Sequence, residues 1–209
     1  MSGKVEMLMQ RLDVTRKGAK RIADIMEAGK EILQHEGFTA LTKRRIAKRL
    51  GISYGNVGYY FPTRESLWRG VIEYELKSYY EKDYANFRAP VDDPNARLEE
   101  FVRLWFREYE DRELRIFFSQ LIAFSEVSEF VAGQRDEIYR RFFDETLNRI
   151  RAIDPGVSES ELNTRASLIV ALLEGLHAVT AFKPELLKRG ARFSQRLVEQ
   201  VRAIACGGV

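Results

Sequence analysis

The segment from Leu41 to Leu67, LTKRRIAKRLGISYGNVGYYFPTRESL, constrains this chain more than any other. Ile46, Ala47 and Leu50 fall on one face of a short helix. Gly51 stops that helix, because glycine takes the left-handed conformation that closes a helix at little cost. Ser53 is a good N-cap for a second helix, since its hydroxyl accepts from one of the first free N–H groups. Val57, Tyr60 and Phe61 repeat at helical spacing and predict the face that holds the second helix to the first. Pro62 drives Phe61 out of helix geometry, and Thr63 is placed to cap a third helix. Two short helices joined by a tight turn make a helix-turn-helix, a motif whose second helix lies in the DNA major groove.

At these residues the pattern becomes specific. Thr42-x-x-x-Ile46-Ala47-x-x-x-Gly51-Ile52-Ser53-x-Gly55-Asn56-Val57, followed by Tyr59-Tyr60-Phe61-x-x-Arg64-Glu65-x-Leu67, resembles the DNA-binding domain of the TetR family of transcriptional regulators. The resemblance is strong over residues 16–67; beyond them it is one of layout. It implies a second, helical domain that binds a small molecule, and a dimer formed by the last two long helices. Repression is the commoner mode in that family. Two positions depart from the pattern. Gly58 stands where the family usually has a tyrosine that touches a phosphate, and Arg64 where it usually has a lysine.

Charge follows the same division. Residues 1–74 hold 14 Lys/Arg against 8 Asp/Glu, and residues 75–209 hold 20 against 23, so the chain's net +3 hides a basic N-terminal part. Such a surface attracts phosphates and gains from counterion release. Arg16, Lys17, Lys20 and Arg21 crowd the start of the first helix. A helix dipole disfavours cations there, which points to an outside anion.

Long amphipathic stretches and the lack of alternating patterns predict an all-α fold. Its N-terminal three-helix helix-turn-helix domain, 15–67, precedes a helical effector-binding and dimerisation domain, 68–205. The first helix is expected from Thr15 to Glu36, with Ile22, Ile25, Met26, Gly29, Ile32 and Leu33 facing inward. Residues 1–14 read as an arm. The third helix of the motif is expected from Thr63 to Phe87, followed by a loop at 89–95. Further helices are expected at 96–109, 113–124 and 134–153. Ser158-x-x-Glu161 is a capping box that opens a helix reaching Phe182. The second half of that helix is apolar nearly all round, so it must be buried on two sides, one of them against a second copy of the chain. The last helix carries a stripe of Phe193, Leu197, Val201 and Ile204, with Val198 beside it.

On the recognition helix, Tyr54, Gly55, Gly58 and Tyr59 face outward, with Asn56 at the side. Asn56 suits a paired hydrogen bond to adenine, and Arg44, early in the preceding helix, suits guanine. Tyr54, Tyr59 and Tyr60 are candidates for phosphate or thymine-methyl contacts. Gly55 lets backbone approach the groove. Lys43, Lys48 and Arg64 are phosphate candidates, which set register rather than sequence. Arg45 and Arg49 are left open between phosphate contact and plain solvated charge.

Residues 101–143 are rich in aromatics, most of them core. Trp105, Tyr109, Phe118, Phe124 and Phe143 are the candidates to line an effector cavity, with Glu174 and His177 as polar contacts. This favours a hydrophobic or aromatic effector; aromatic faces with a carboxylate also suit a cation. His35 and His177 are the only histidines and Cys206 the only cysteine, so neither metal-ligand spacing nor a disulfide framework is present. No catalytic triad, phosphate loop or dinucleotide fingerprint occurs, so neither an enzyme nor a cofactor is expected. There is no apolar signal core, and residues 167–182 are too short to span a bilayer; the expectation is a cytoplasmic protein without a membrane partner. The expected partners are a double-stranded DNA operator, a small-molecule effector and a second copy of the chain. Two alternatives stay open: the same fold without an effector, and a helical protein-interaction dimer that does not use its motif.

Overall fold

The computed structural model describes residues 16–79, 93–187 and 192–208. Among them lie nine α-helices and no strand: α1 Arg16–Glu36, α2 Lys43–Leu50, α3 Tyr54–Tyr60, α4 Arg64–Tyr79, α5 Pro94–Glu110, α6 Arg112–Ser125, α7 Glu129–Ile153, α8 Glu159–Phe182 and α9 Arg192–Ala205. A 3₁₀ turn, Pro184–Leu187, follows α8. The N-terminal arm, the end of the third motif helix with Tyr80 and Tyr84, and most of the loop at 89–95 lie outside the described residues.

The chain divides into two compact units. The first comprises Met1–Tyr84 and Ser119–Val131, the second Ala85–Phe118 and Ala132–Val209. The first unit therefore takes in the last turns of α6 as well as α1, α2, α3 and α4.

Local chemistry sets the helix ends in the first unit. The Thr42 hydroxyl accepts from the Arg45 N–H at 3.1 Å. Gly51 is left-handed at φ 64°, and the next N–H, of Ile52, closes on the Ala47 carbonyl at 3.0 Å. Ser53 caps α3 through the Asn56 N–H at 3.1 Å. Thr63 and Ser66 bond each other's N–H groups at 3.0 and 3.1 Å, a serine version of the capping box. Ile22, Ile25, Met26, Ile32 and Leu33 are buried with Phe38, Leu41, Ile46, Val57, Leu67 and Val71. α1 and α4 cross closely at two glycines. A Cβ on Gly29 would stand 2.5 Å from Val71 Cγ2, and one on Gly70 would stand 3.1 Å from Met26 Sδ. Phe124, at the end of α6, completes this core. Its ring lies parallel to Phe38 at 5.1 Å and edge-on to Trp68 at 5.0 Å.

In the second unit, α5 buries Leu98, Phe101, Val102, Trp105, Phe106 and Tyr109. Asp93 caps that helix through the Asn95 N–H, with Pro94 at its first position. Ser158 caps α8 as expected, accepting from the Glu161 N–H at 3.3 Å. The Glu161 carboxylate turns to Arg165 instead, at 2.8 Å. Arg165 also reaches Asp154 and the Ala205 carbonyl, tying the ends of three elements together.

α8 buries Leu162, Ala166, Ile169, Leu173, Leu176 and Thr180. Its opposite side, Leu168, Ala171, Gly175, Val179 and Phe182, is exposed in the single chain. By length and composition alone α8 is long and apolar enough to cross a membrane, a test that the core helix of a soluble protein also passes. Glu174 and His177 nevertheless sit in its middle. The inward stripe of α9 is Ser194, Leu197, Val201 and Ala205. Leu197 and Val201 face inward as expected, whereas Phe193 and Ile204 are half-exposed on a flank with Val198, their places in the buried stripe taken by Ser194 and Ala205.

Candidate nucleic-acid interface

α3 rests on α2 through Val57, which is fully buried, and Phe61. That seat turns the rest of the short helix outward. Tyr54 is 56% exposed and Tyr59 68%; Gly55 and Asn56 are exposed beside them. Among the described residues the Asn56 side-chain amide has no partner, so its donor and acceptor are both free for a base edge. A Cβ on Gly58 would touch nothing within 4 Å, and one on Gly55 would meet only Ser53 Oγ at 4.0 Å. These glycines are not required by packing. Tyr60, read as an inward residue as well as a contact, stands half-exposed with its ring edge-on to Tyr59 at 4.9 Å.

The cations around this helix fall into two sets. Arg45 makes two 2.8 Å bonds to Glu36, and Arg49 pairs with Glu31 at 2.6 Å. The Arg45 guanidinium holds the Glu36 carboxyl below the usual carboxylate range. Both arginines are clamps between α1 and α2, an outcome the one-dimensional pattern left open. Arg44 and Lys48 have no hydrogen bond or ion pair among the described residues, and Lys17 and Lys20 are exposed. Lys43 donates to the Pro62 carbonyl at 2.6 Å and lies 5.3 Å from the Tyr54 ring centroid. It thus braces the turn after α3 while keeping two N–H groups. The Arg64 guanidinium lies 4.4 Å from the Trp68 ring centroid, where a cation–π contact occupies its face and leaves its edges free.

The expected effector residues do not all meet. In the second unit, Trp105 lies 6.1 Å from Tyr109 and 5.2 Å from Phe142, and Tyr109 lies 5.8 Å from His177. One turn back on α8, Glu174 interacts with Tyr139. Burial pushes the Glu174 carboxyl up, opposed by the Tyr139 hydroxyl. Tyr139 is itself pushed up, by burial first and then by Glu174. Burial, then the charge of Arg115, holds His177 below its ordinary value. The buried indole N–H of Trp105 has no hydrogen-bond partner, an uncommon state for a buried donor. Phe118 packs edge-on to Phe117 at 5.2 Å, and Phe143 is half-exposed on α7. Phe124 is set apart, in the core of the first unit. Sequence reasoning left out Tyr139, Phe142 and Arg115, although the i, i+3 spacing of Tyr139 and Phe142 marks one helix face. A groove of about 230 Å³ between α5 and α9, lined by Asn95, Glu99, Arg103, Gln195, Glu199 and Arg202 among others, contains none of the expected effector residues.

A seated recognition helix with exposed polar and aromatic side chains, flanked by cations, defines a helix-turn-helix DNA-binding protein. Residues 25–71 match the family of bacterial regulatory proteins described as the tetR family. The family is thus that of the DNA-binding domain, residues 25–71. The HTH-type transcriptional regulator YfiR of Bacillus subtilis, itself uncharacterised, is 37% identical over 54 residues, and the chain spans 26% of its length. The fold is also that of solved structures. A TetR transcription regulator from Haloarcula marismortui aligns at TM-score 0.70 and 18% identity, over 90% of this chain and 98% of that one. A regulator from Saccharomonospora viridis in complex with choline aligns at 0.68 and 19%, over 88% and 94%. SmeT in complex with triclosan aligns at 0.67 and 16%, over 87% and 90%.

Proposed function

We propose that the protein is a homodimeric, sequence-specific repressor in the cytoplasm, released from its operator by a small hydrophobic or aromatic effector. The observation that carries the DNA-binding part is α3: its inner face is seated by Val57 while Tyr54, Asn56 and Tyr59 stand free. Asn56 and Arg44 read bases. Tyr54, Gly55, Tyr59, Tyr60, Lys43, Lys48 and Arg64 hold the backbone. The exposed apolar side of α8 supports the dimer, since a second copy offers the same surface back.

The ring cluster of Trp105, Tyr109, Phe142 and His177, with Glu174 one turn back on α8, supports an effector site of apolar walls with few polar groups, to which Phe118 and Phe143 are proposed to contribute. Two structural relatives hold choline, a quaternary ammonium cation, and triclosan, an aromatic compound, which fits a fold that accommodates small molecules. Release requires that the effector bind the DNA-free state more tightly than the DNA-bound one.

Selection of random duplex DNA on the purified protein, with sequencing of the bound fraction, tests the proposal. A palindromic site is expected, and it becomes the probe for effector screening. No enriched site at moderate salt, from folded protein, counts against it.

A further inference from the structure

Arg64 occupies the first position of α4, where a helix dipole disfavours a cation. Among the described residues it makes neither an ion pair nor a hydrogen bond. What holds it is the face of Trp68, one turn along, at 4.4 Å. Trp68 is fixed in turn. It is 5% exposed, its indole N–H donates to the Leu41 carbonyl at 3.0 Å, and two phenylalanines flank it. Phe38 is edge-on at 6.0 Å and Phe124 edge-on at 5.0 Å. Phe38 and Phe124 are themselves stacked within 8° of parallel. Leu41 immediately precedes the cap of α2, so the indole joins the start of the motif, the start of α4 and the end of α6.

We infer that Trp68 and Phe124 are positioning residues for the Arg64 guanidinium, so that the last turn of α6 sets one phosphate contact of the DNA-binding unit. The inference rests on the reading of Arg64 as a phosphate contact. A guanidinium stacked on an aromatic face keeps its five N–H groups directed outward. Withdrawing Phe124 removes one wall of the indole, and the cation loses its platform without any loss of charge.

A phosphate contact is independent of sequence, so one mixed-sequence duplex serves as the probe, with the full-length chain titrated at several salt concentrations. Arg64→Gln should lower the slope of log affinity against log salt by about one. Phe124→Leu, close in volume, should weaken binding by about two- to fivefold, the worth of an exposed cation–π contact. In the Arg64→Gln background the same change should have no further effect. Phe124→Tyr keeps the ring edge and should bind like the parent. An equal loss from Phe124→Leu in both backgrounds overturns the positioning role, because a general loosening of the fold adds to the loss of Arg64. An unchanged salt slope in Arg64→Gln overturns the phosphate contact itself, and the inference with it.

Discussion

At the scale of single residues, what matters on α3 is what each side chain leaves free. Asn56→Ala should relax discrimination at one base pair by about 1–3 kcal/mol, read by binding to single-position operator variants. An equal loss on every sequence would show that Asn56 serves the backbone. Gly58 presents a sharper choice. Its φ is not positive and nothing crowds it, so alanine should stabilise the helix by about 1 kcal/mol. If the bare backbone is there for close approach, Gly58→Ala should raise the thermal midpoint and weaken DNA binding together. A rise in both stability and affinity would leave the glycine without that role. Glu174 makes a prediction in pH. Burial raises its pKa in the folded chain, so the native state keeps a proton that the unfolded chain loses above the ordinary carboxylate value. Stability therefore falls as pH rises from that value through the raised one. Glu174→Gln should be more stable than the parent above this window and equal to it well below, as read by denaturant unfolding across pH.

Elements form where short-range chemistry agrees with packing. The caps at Ser53, Thr63 and Ser158 were legible because each needs only a residue three positions along. The roles of Arg45 and Arg49 were not, because their carboxylates come from another helix. Nor was the burial of the small Ser194 and Ala205 in place of Phe193 and Ile204 on α9. The crossing of α1 and α4 gives the clearest test at this scale. Gly29→Ala should cost about 1–3 kcal/mol through overpacking against Val71, measured by denaturant midpoint. Val71→Ala in the same chain should restore part of the loss. If Gly29→Ala alone is neutral, the crossing is looser than its 2.5 Å approach implies.

For the whole molecule, the open question is what covers the outer side of α8. Leu168 is 46% exposed and Phe182 79%, and between them lie the small residues Ala171 and Gly175. If a second copy covers this side, Leu168→Glu should give a monomer by sedimentation with helical content unchanged, and affinity for a two-fold operator should collapse. A variant that remains dimeric would place the interface elsewhere.

The sequence by itself determined the all-α class, the helix-turn-helix and its breakers, because glycine, proline and hydroxyl caps act on their own neighbours through backbone geometry. It also determined which face of α1 is core, since helical period alone selects that face. Only the tertiary structure decided which cations are clamps and which are free, and that Phe124 belongs with Phe38 and Trp68 rather than with Trp105. Those outcomes depend on partners distant in the chain. A residue's own spacing carries no record of the surface that another helix brings to it.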